Sequence, residues 1–246
     1  MEPLVTLEDV RTRPLPGRED HAPLAHVSLT LAPRQVYALL GPRGAGKSDL
    51  LRLLAGRLMP TAGLVRYGLA LGASNEARIH NIGYCAQRPE LAPGLSVRDH
   101  LSLFAAIAKL PETQREGRIE QVAQQLELLD CMESPIEEGP AEMQQRLHVA
   151  LSMLHTPRLW LLDEPFAGLP GAAQETLWRN LAEHRELGNT AVLVCSELAR
   201  VRRGADHVLL LRRGTLVGQG TPDELAERHG SLERAFDVLT GNEALN

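Results

Sequence analysis

The chain has 246 residues, which suits one large α/β domain or one domain that carries a small subdomain. Its net charge of −5 argues against a nucleic-acid-binding protein, because such proteins usually need a broad basic face. Hydrophobic residues make up 43% of the chain and aromatic residues only 3%, so the core is expected to consist mostly of leucine, valine and alanine.

The first third of the chain alternates short apolar runs with a helical stretch, as α/β proteins do. Strands are predicted over residues 5–10, 24–31, 35–40, 64–68 and 81–87, and a helix over 48–56 that ends at Gly56. The first two strands alternate apolar and polar residues, which predicts an antiparallel ribbon.

Between about residues 97 and 155 the pattern changes to helical periodicity without strand signals. Helices are predicted over 97–110, 115–130 and 141–155. This region is therefore expected to be a helical subdomain inserted into the α/β core.

The last third of the chain returns to alternating strands and helices. Strands are predicted over 158–164 and 190–195, a helix over 172–187, a hairpin over 205–220 around Arg213 and Gly214, and a helical tail from Pro222. The amphipathic segment 231–239 is expected to pack on the domain or on a second subunit.

The cysteines and the termini indicate a cytosolic protein. Cys85, Cys131 and Cys195 lie far apart in the sequence and are expected to be reduced, small core residues. The first ten residues carry charge early and lack an apolar run, so no signal peptide is expected. No stretch approaches 18 uninterrupted apolar residues, so the chain is not expected to span a membrane.

Residues 41–48, GPRGAGKS, fit the phosphate-binding pattern G-x-x-x-x-G-K-[ST], between a predicted strand and a predicted helix. Glycines let backbone N–H groups surround phosphate oxygens, and the helix N-terminus adds a partial positive charge. Lys47, one of only two lysines in the chain, is expected to reach the β- and γ-phosphates, and Ser48 to offer a hydroxyl to Mg²⁺. The alternative is a glycine-rich turn with a surface lysine. The candidate nucleotide-contacting residues here are Gly41, Pro42, Arg43, Gly44, Ala45, Gly46, Lys47, Ser48 and Asp49.

The segment RLWLLDE (158–164) is a near-continuous apolar run, which is typical of a parallel strand buried on both faces. Such a strand ends at the carboxyl edge of the sheet, where ligands bind in open α/β folds. Asp163 is expected to hold Mg²⁺ through water, and Glu164 to orient or deprotonate an attacking water. Alternatively, the two carboxylates only cap the next helix.

With these motifs in this order, the chain resembles the nucleotide-binding domains of ABC transporters. GPRGAGKS resembles their Walker A motif, Gln87 in GYCAQRPEL their Q-loop, and LWLLDEP their Walker B motif. The segment MQQRLHVALSML resembles the helix that follows their signature motif. The ending SLERAFDVLTG (231–241) resembles the ATP subunits of drug- and polysaccharide-exporting systems, whose permease is a separate chain.

The resemblance covers nearly the whole chain, and it implies an α/β fold. This fold is a RecA-like P-loop NTPase core with an antiparallel β subdomain and an inserted helical subdomain. The resemblance implies one domain over residues 1–246. Its ATP-binding core would comprise residues 1–87 and 157–220, its helical subdomain residues 88–156, and its C-terminal tail residues 221–246. The implied cofactors are ATP and Mg²⁺, the latter held by Ser48, Gln87 and Asp163. Head-to-tail dimers of such domains enclose two ATP molecules between the Walker motifs of one chain and the signature of the other.

The signature motif departs most from the family pattern L-S-G-G-Q, whose hydroxyl and N–H groups hold the partner's γ-phosphate. The aligned residues are Gly139, Pro140, Ala141, Glu142 and Met143. Pro140 lacks both a hydroxyl and an N–H. Glu142 places a carboxylate near the expected phosphate, and two like charges about 5 Å apart repel by roughly 3 kcal/mol at an effective dielectric constant of about 20. The other interpretation is that proline and glutamate simply make a good first helical turn.

Four other positions also differ from the family pattern. Pro170 replaces the D-loop aspartate, and Ser196 replaces the histidine that bonds the γ-phosphate. The adenine-stacking aromatic aligns near Pro14, where Arg11 or Arg13 is a possible substitute. Asp49 stands where the family has threonine, and it is expected either to face away from the triphosphate or to join the Mg²⁺ shell.

Three functions are compatible with these motifs. The first is the ATP-binding subunit of an ABC exporter with impaired hydrolysis, peripheral on the cytoplasmic face of the membrane. It is expected to act with a separate membrane permease and a second nucleotide-binding subunit, in a homodimer or preferably a heterodimer. The second is a non-catalytic scaffold or regulatory subunit with the same fold. The third is an ABC-type ATPase of DNA repair or translation, which usually has the long insertions or tandem domains that this chain lacks.

Overall fold

The computed structural model describes residues 2–14 and 23–241, which fold into two sheets and a set of packed helices. The strands are β1 (Val5–Arg11), β2 (Val27–Leu31), β3 (Val36–Leu40), β4 (Ala62–Tyr67), β5 (Ile82–Cys85), β6 (Leu159–Leu162), β7 (Thr190–Val194), β8 (His207–Arg212) and β9 (Thr215–Gly220). The helices are α1 (Lys47–Leu54), α2 (Asn75–Ile79), α3 (Val97–Ile107), α4 (Glu112–Gln125), α5 (Ala141–Met153), α6 (Gly171–Glu186), α7 (Leu198–Gly204), α8 (Pro222–His229) and α9 (Leu232–Thr240).

The smaller sheet is antiparallel with the order β2-β1-β4, which confirms the predicted ribbon and adds a third strand to it. The larger sheet has six strands in the order β5-β6-β7-β3-β8-β9. Its first five strands are parallel, and β9 pairs antiparallel with β8 through the predicted turn at Arg213 and Gly214. The carboxyl ends of β3, β5, β6 and β7 therefore meet at one edge.

Burial on both faces explains why the central strands have almost continuous apolar sequences. On β6, Leu159 and Leu161 belong to a cluster with α1 and the small sheet, whereas Trp160 and Leu162 belong to a cluster with α3, α4, α5 and α6. Successive side chains of a strand point to opposite faces, so a strand between two layers needs apolar residues at every position. Trp160 is fully buried, and its indole N–H donates to Ser152 Oγ at 2.8 Å.

The helical region between β5 and β6 forms as its periodicity predicts. A capping box of Ser96 and Asp99 begins α3, and the buried residues of α3, α4 and α5 join the larger hydrophobic cluster. The predicted boundaries of a subdomain at 88 and 156 stay a prediction.

Towards the end of the chain, Leu232 and Ala235 of α9 are buried in the larger hydrophobic cluster, so this amphipathic segment packs on the domain.

Two short helices, α2 and α7, are absent from the sequence prediction. With five and seven residues, each contains too little periodic sequence to be detected.

Cys85 and Cys195 are buried, Cys131 is half-buried, and all three are free thiols. In the described part of the chain, no helix combines the length and apolar character that crossing a membrane requires.

Burial of His184 on α6 predicts a pH-dependent stability. Its side chain is 5% exposed and packs edge-on against Trp160, and this burial lowers the pKa of His184 from 6.5 to about 4. Between these values the unfolded chain binds more protons, so the stabilisation is present above pH 6.5 and is lost as the pH falls. Unfolding by urea is expected to cost about 2 kcal/mol less at pH 5 than at pH 7 because of this residue.

The control for this prediction is a pair of variants measured at both pH values. His184→Gln should reduce the difference in unfolding free energy between pH 7 and pH 5 by about 2 kcal/mol. The half-buried His148, whose pKa burial also lowers to about 4, should keep its own contribution. His229→Gln at the end of α8 should leave the difference unchanged. An equal slope in the native chain and in His184→Gln would contradict the assignment to His184.

Candidate functional site

A cleft of about 1630 Å³ opens at the edge where the parallel strands end. It gathers residues from the segments that follow β3, β5, β6 and β7. The predicted site residues that line it are Gly41, Arg43, Gly44, Ala45, Gly46, Lys47, Ser48, Gln87, Glu164 and Ser196. Residues far apart in the sequence thus share one cavity, as the topology of a parallel sheet requires.

The loop from β3 to α1 wraps around the ammonium group of Lys47. Gly44 and Gly46 have φ angles of 75° and 98°, which favour glycine, and they curl the loop before α1 begins. Lys47 Nζ donates to the carbonyl oxygens of Gly41 and Pro42 at 2.6 and 2.9 Å. Partial burial lowers the pKa of Lys47, while the carboxylates of Glu164 and Asp163 oppose this shift. The loop has the shape of a phosphate cradle with a cation at its centre.

The two acidic residues after β6 have different environments. Asp163 is 1% exposed, and its Oδ2 atom has no hydrogen-bond partner among the described residues. Burial raises the pKa of Asp163, and the neighbouring Ser48 hydroxyl opposes this rise. Glu164 lies in the cleft with a φ of 54°, and its Oε2 atom accepts from Gln87 Nε2 at 3.1 Å. The Q-loop candidate and the candidate base are therefore in direct contact.

Asp49 has its own counter-charge. The sequence groups Asp49 with the nucleotide-contacting residues, but its side chain is 3% exposed and does not line the cleft. Its Oδ1 atom accepts from Arg52 Nη1 at 2.7 Å. Arg52 does line the cleft, and sequence reasoning missed it, although the i to i+3 spacing of an acid and a base on one helix is a recognisable signal.

Comparison with known proteins identifies the family. Residues 24–167, more than half of the chain, match the family model described as "ABC transporter". The chain belongs to the ABC transporter family. A solved ATP-binding subunit of an ABC transporter superimposes with a TM-score of 0.84 at 26% identity, over 96% of this chain and 99% of that one. The fold is therefore the predicted RecA-like P-loop NTPase fold, and the domain is an ABC ATP-binding domain.

The curated relatives include ATP-binding proteins of different ABC transporters. The chain is 31% identical over 220 residues to a probable multidrug ABC transporter ATP-binding protein, YbhF, of Escherichia coli. It is 34% identical over 215 residues to the sulfate/thiosulfate import ATP-binding protein CysA of Brucella melitensis. These matches cover 87% and 85% of this chain but only 37% and 59% of the relatives, so the chain aligns with part of each.

In the segment aligned with the ABC signature, one side chain covers the backbone and the carboxylate is paired with an arginine. Pro140 immediately precedes α5, and the side chain of Met143 lies over Gly139, so that a Cβ added at Gly139 would be 1.8 Å from Met143 Cε. Glu142 forms an ion pair with Arg146 one turn along the helix, and Arg146 also contacts Glu127 at 3.0 Å. The repulsion expected from an unpaired Glu142 is therefore reduced by Arg146.

The residues at the predicted switch and D-loop positions each lie next to a secondary-structure element. Ser196 follows β7, is exposed and brings a short hydroxyl group to the cleft. Pro170 immediately precedes α6, and its carbonyl accepts from Gln174 N at 3.0 Å. Neither side chain supplies a cation or a carboxylate.

The proposed adenine contacts gain no support from the structure. Tyr37, the first aromatic residue of the chain, is 4% exposed and stacks on His207, so it belongs to the core. Arg11 lies on β1, where it contacts Asp9 at 3.5 Å, and neither Arg11 nor Arg13 lines the cleft. A stacking arginine stays a prediction.

The residues present fit a magnesium nucleotide. ABC ATP-binding domains bind ATP, generally with Mg²⁺. Within the described residues, the buried Asp163 has an oxygen without a hydrogen-bond partner, and Ser48 lies beside it at the start of α1. Mg²⁺ prefers oxygen ligands and commonly takes only one or two from the protein, with water and phosphate completing the shell. The hydroxyl, the carboxylate and the glycine cradle are the groups that such a complex needs.

Proposed function

We propose that the chain is the ATP-binding subunit of an ABC transporter, in which it binds Mg·ATP and hydrolyses it slowly. The observation that carries the proposal is the cleft lined by Lys47, Ser48, Gln87 and Glu164. Lys47 would hold the β- and γ-phosphates, and Ser48, Gln87 and Asp163 would hold the metal ion. When bound, Mg²⁺ neutralises phosphate charge. Glu164, held by Gln87, would orient the attacking water.

Slow hydrolysis follows from the groups that surround the γ-phosphate position. Ser196 cannot supply the charged or strongly donating nitrogen of a histidine. The segment 139–143 lies outside this chain's own cleft, as expected of a segment that serves a second subunit. Pro140 offers that subunit no N–H group, and Met143 covers the backbone at Gly139. A homodimer would combine both defects in each site, so a heterodimer with an intact paralogue is favoured.

The membrane partner and the direction of transport are part of the same proposal. A separate permease would contact the helices between β5 and β6, and dimer closure would be transmitted to it through residues 88–156. The chain would then be peripheral on the cytoplasmic face of the membrane. The resemblance of residues 231–241 to exporter subunits favours export.

A second function is a scaffold that keeps the fold without turnover. The contact between Met143 and Gly139 favours it, because this contact makes the signature loop a packed surface instead of an open cradle. In such a subunit ATP binding, if retained, would stabilise the domain without hydrolysis.

Calorimetric titration of the purified chain with Mg·ATP tests the proposal, with phosphate release measured in the same sample. Native chain is expected to bind, and Lys47→Ala to bind at least about 100-fold more weakly, because it loses a charge-assisted contact to phosphate. Lys109→Ala is the matched control, since Lys109 is the other lysine, is 68% exposed and pairs with Glu76 at 2.9 Å, outside the cleft. It should bind like the native chain.

The outcomes separate the two functions. Binding that depends on Lys47, with little phosphate release, supports a subunit that needs a partner for turnover. Fast release by the isolated chain contradicts the impaired-hydrolysis part of the proposal. Absence of binding by a folded native chain contradicts ATP binding and leaves the scaffold.

A further inference from the structure

A second cavity, of about 370 Å³, lies between α6 and α7, away from the nucleotide cleft. We name it the arginine pocket. It is lined by Glu175, Trp178, Arg179, Arg185, Arg200 and Arg203, among others. Four of its lining residues are arginines, so cationic side chains surround one small cavity.

The four arginines of this pocket differ in their partners. Arg185 contacts Asp206 at 2.8 Å, and Arg200 contacts Glu175 at 2.8 Å. Arg200 also pairs with Glu197. Arg179 and Arg203 have no carboxylate within 4.0 Å in the described ranges 2–14 and 23–241, and Arg203 Nε only donates to the Ala199 carbonyl at 3.4 Å. Two guanidinium groups at the cavity thus remain available to an anion.

Trp178 gives the arginine pocket a rigid apolar wall. Its ring stacks on Phe166 with 5.1 Å between the ring centroids, and a Cβ added at Gly204 would be 2.5 Å from its Cε3 atom. The ring is therefore fixed from two sides. Its indole Nε1 is shielded from solvent and has no acceptor among the described residues.

We propose that the arginine pocket binds a small carboxylate or phosphate anion with at least two negative charges. Guanidinium groups bind carboxylates and phosphates through paired hydrogen bonds, and they also stack well on aromatic rings. The cavity volume lies within the range of small-molecule sites, which is about 300–1,000 Å³. Arg179 and Arg203 supply the charge, and Trp178 supplies a flat apolar surface. Nothing in this proposal depends on nucleotide binding.

Citrate and inorganic pyrophosphate are the probes, because they present carboxylate and phosphate chemistry separately. Each is titrated into the full chain without magnesium, by calorimetry and by tryptophan fluorescence. Trp178 and the fully buried Trp160 are the two tryptophans, so a signal lost in Trp178→Phe reports the pocket. Each titration is repeated with Lys47→Ala, because binding that survives this change does not occur at the phosphate-binding loop.

The expected result is saturable binding of at least one probe, weakened at least tenfold in Arg179→Gln/Arg203→Gln. The matched control is Arg202→Gln/Arg228→Gln, which removes the same charge from exposed positions outside the pocket. An equal loss in both double variants would indicate non-specific charge attraction and overturn the proposal. Absence of binding by both probes at millimolar concentration in the native chain would also overturn it. Thermal unfolding of each variant verifies that the domain is folded.

Discussion

A chain with Ser196→His and with residues 139–143 changed to Leu-Ser-Gly-Gly-Gln is expected to hydrolyse ATP at least about tenfold faster than the native chain. Each of the two changes restores hydrogen-bond donors around the γ-phosphate position. Removing one preorganised donor from a site of developing charge typically slows a working enzyme by a factor of about 10²–10³. In a homodimer of this variant, every site would combine a histidine with an intact signature, so the gain should exceed that of either change alone.

Two controls make this result specific. Ser196→Ala together with the rebuilt segment should remain slow, because it restores the signature without the imidazole. Calorimetry should show that Mg·ATP affinity is within a few-fold of the native value in all variants, so that the change lies in turnover. If the combined variant folds, binds Mg·ATP and stays as slow as the native chain, the missing donors are not the cause of slow hydrolysis.

Strong periodicity and backbone chemistry made the main elements of the fold predictable from the sequence. The apolar run of β6 predicts a strand buried on both faces, and Trp160 and Leu161 do belong to opposite clusters. GPRGAGKS predicts a loop between a strand and a helix, because its glycines allow positive φ angles before α1. These patterns depend on the local sequence, and long-range packing did not override them.

Side-chain pairing around the site was much less predictable. Glu142 and Arg146 lie four residues apart on a predicted helix, so the sequence could have shown this ion pair. The contact of Arg146 with Glu127 joins two elements and depends on the fold. The cover of Met143 over Gly139 depends on the rotamer of a flexible side chain. Ion pairs and rotamers depend on neighbours brought together by the fold, so a motif alignment cannot show whether a lost residue is compensated.

Gly41→Ala is expected to lower the free energy of unfolding by about 3 kcal/mol and to weaken Mg·ATP binding at least tenfold. A Cβ at residue 41 would lie 2.2 Å from the backbone carbonyl oxygen of Leu211. Leu211 is fully buried on β8, which pairs with β3, so neither backbone can move without disturbing the central sheet. The displaced loop would also lose the contact between Lys47 and the Gly41 carbonyl, which orients the ammonium group.

Gly117→Ala is the matched control, because the same methyl group is added where it meets nothing within 4 Å. Gly117 is exposed on α4, and alanine there should stabilise the helix by up to about 1 kcal/mol. Urea unfolding and calorimetry on both variants measure the two effects. Equal stability of Gly41→Ala and the native chain would mean that β3 and β8 are less closely packed at the nucleotide loop than the structure indicates. A Gly41→Ala chain that is as stable as the native chain but binds Mg·ATP weakly would mean that β3 and β8 accommodate the added methyl group. The substitution would then act only by displacing the phosphate-binding loop.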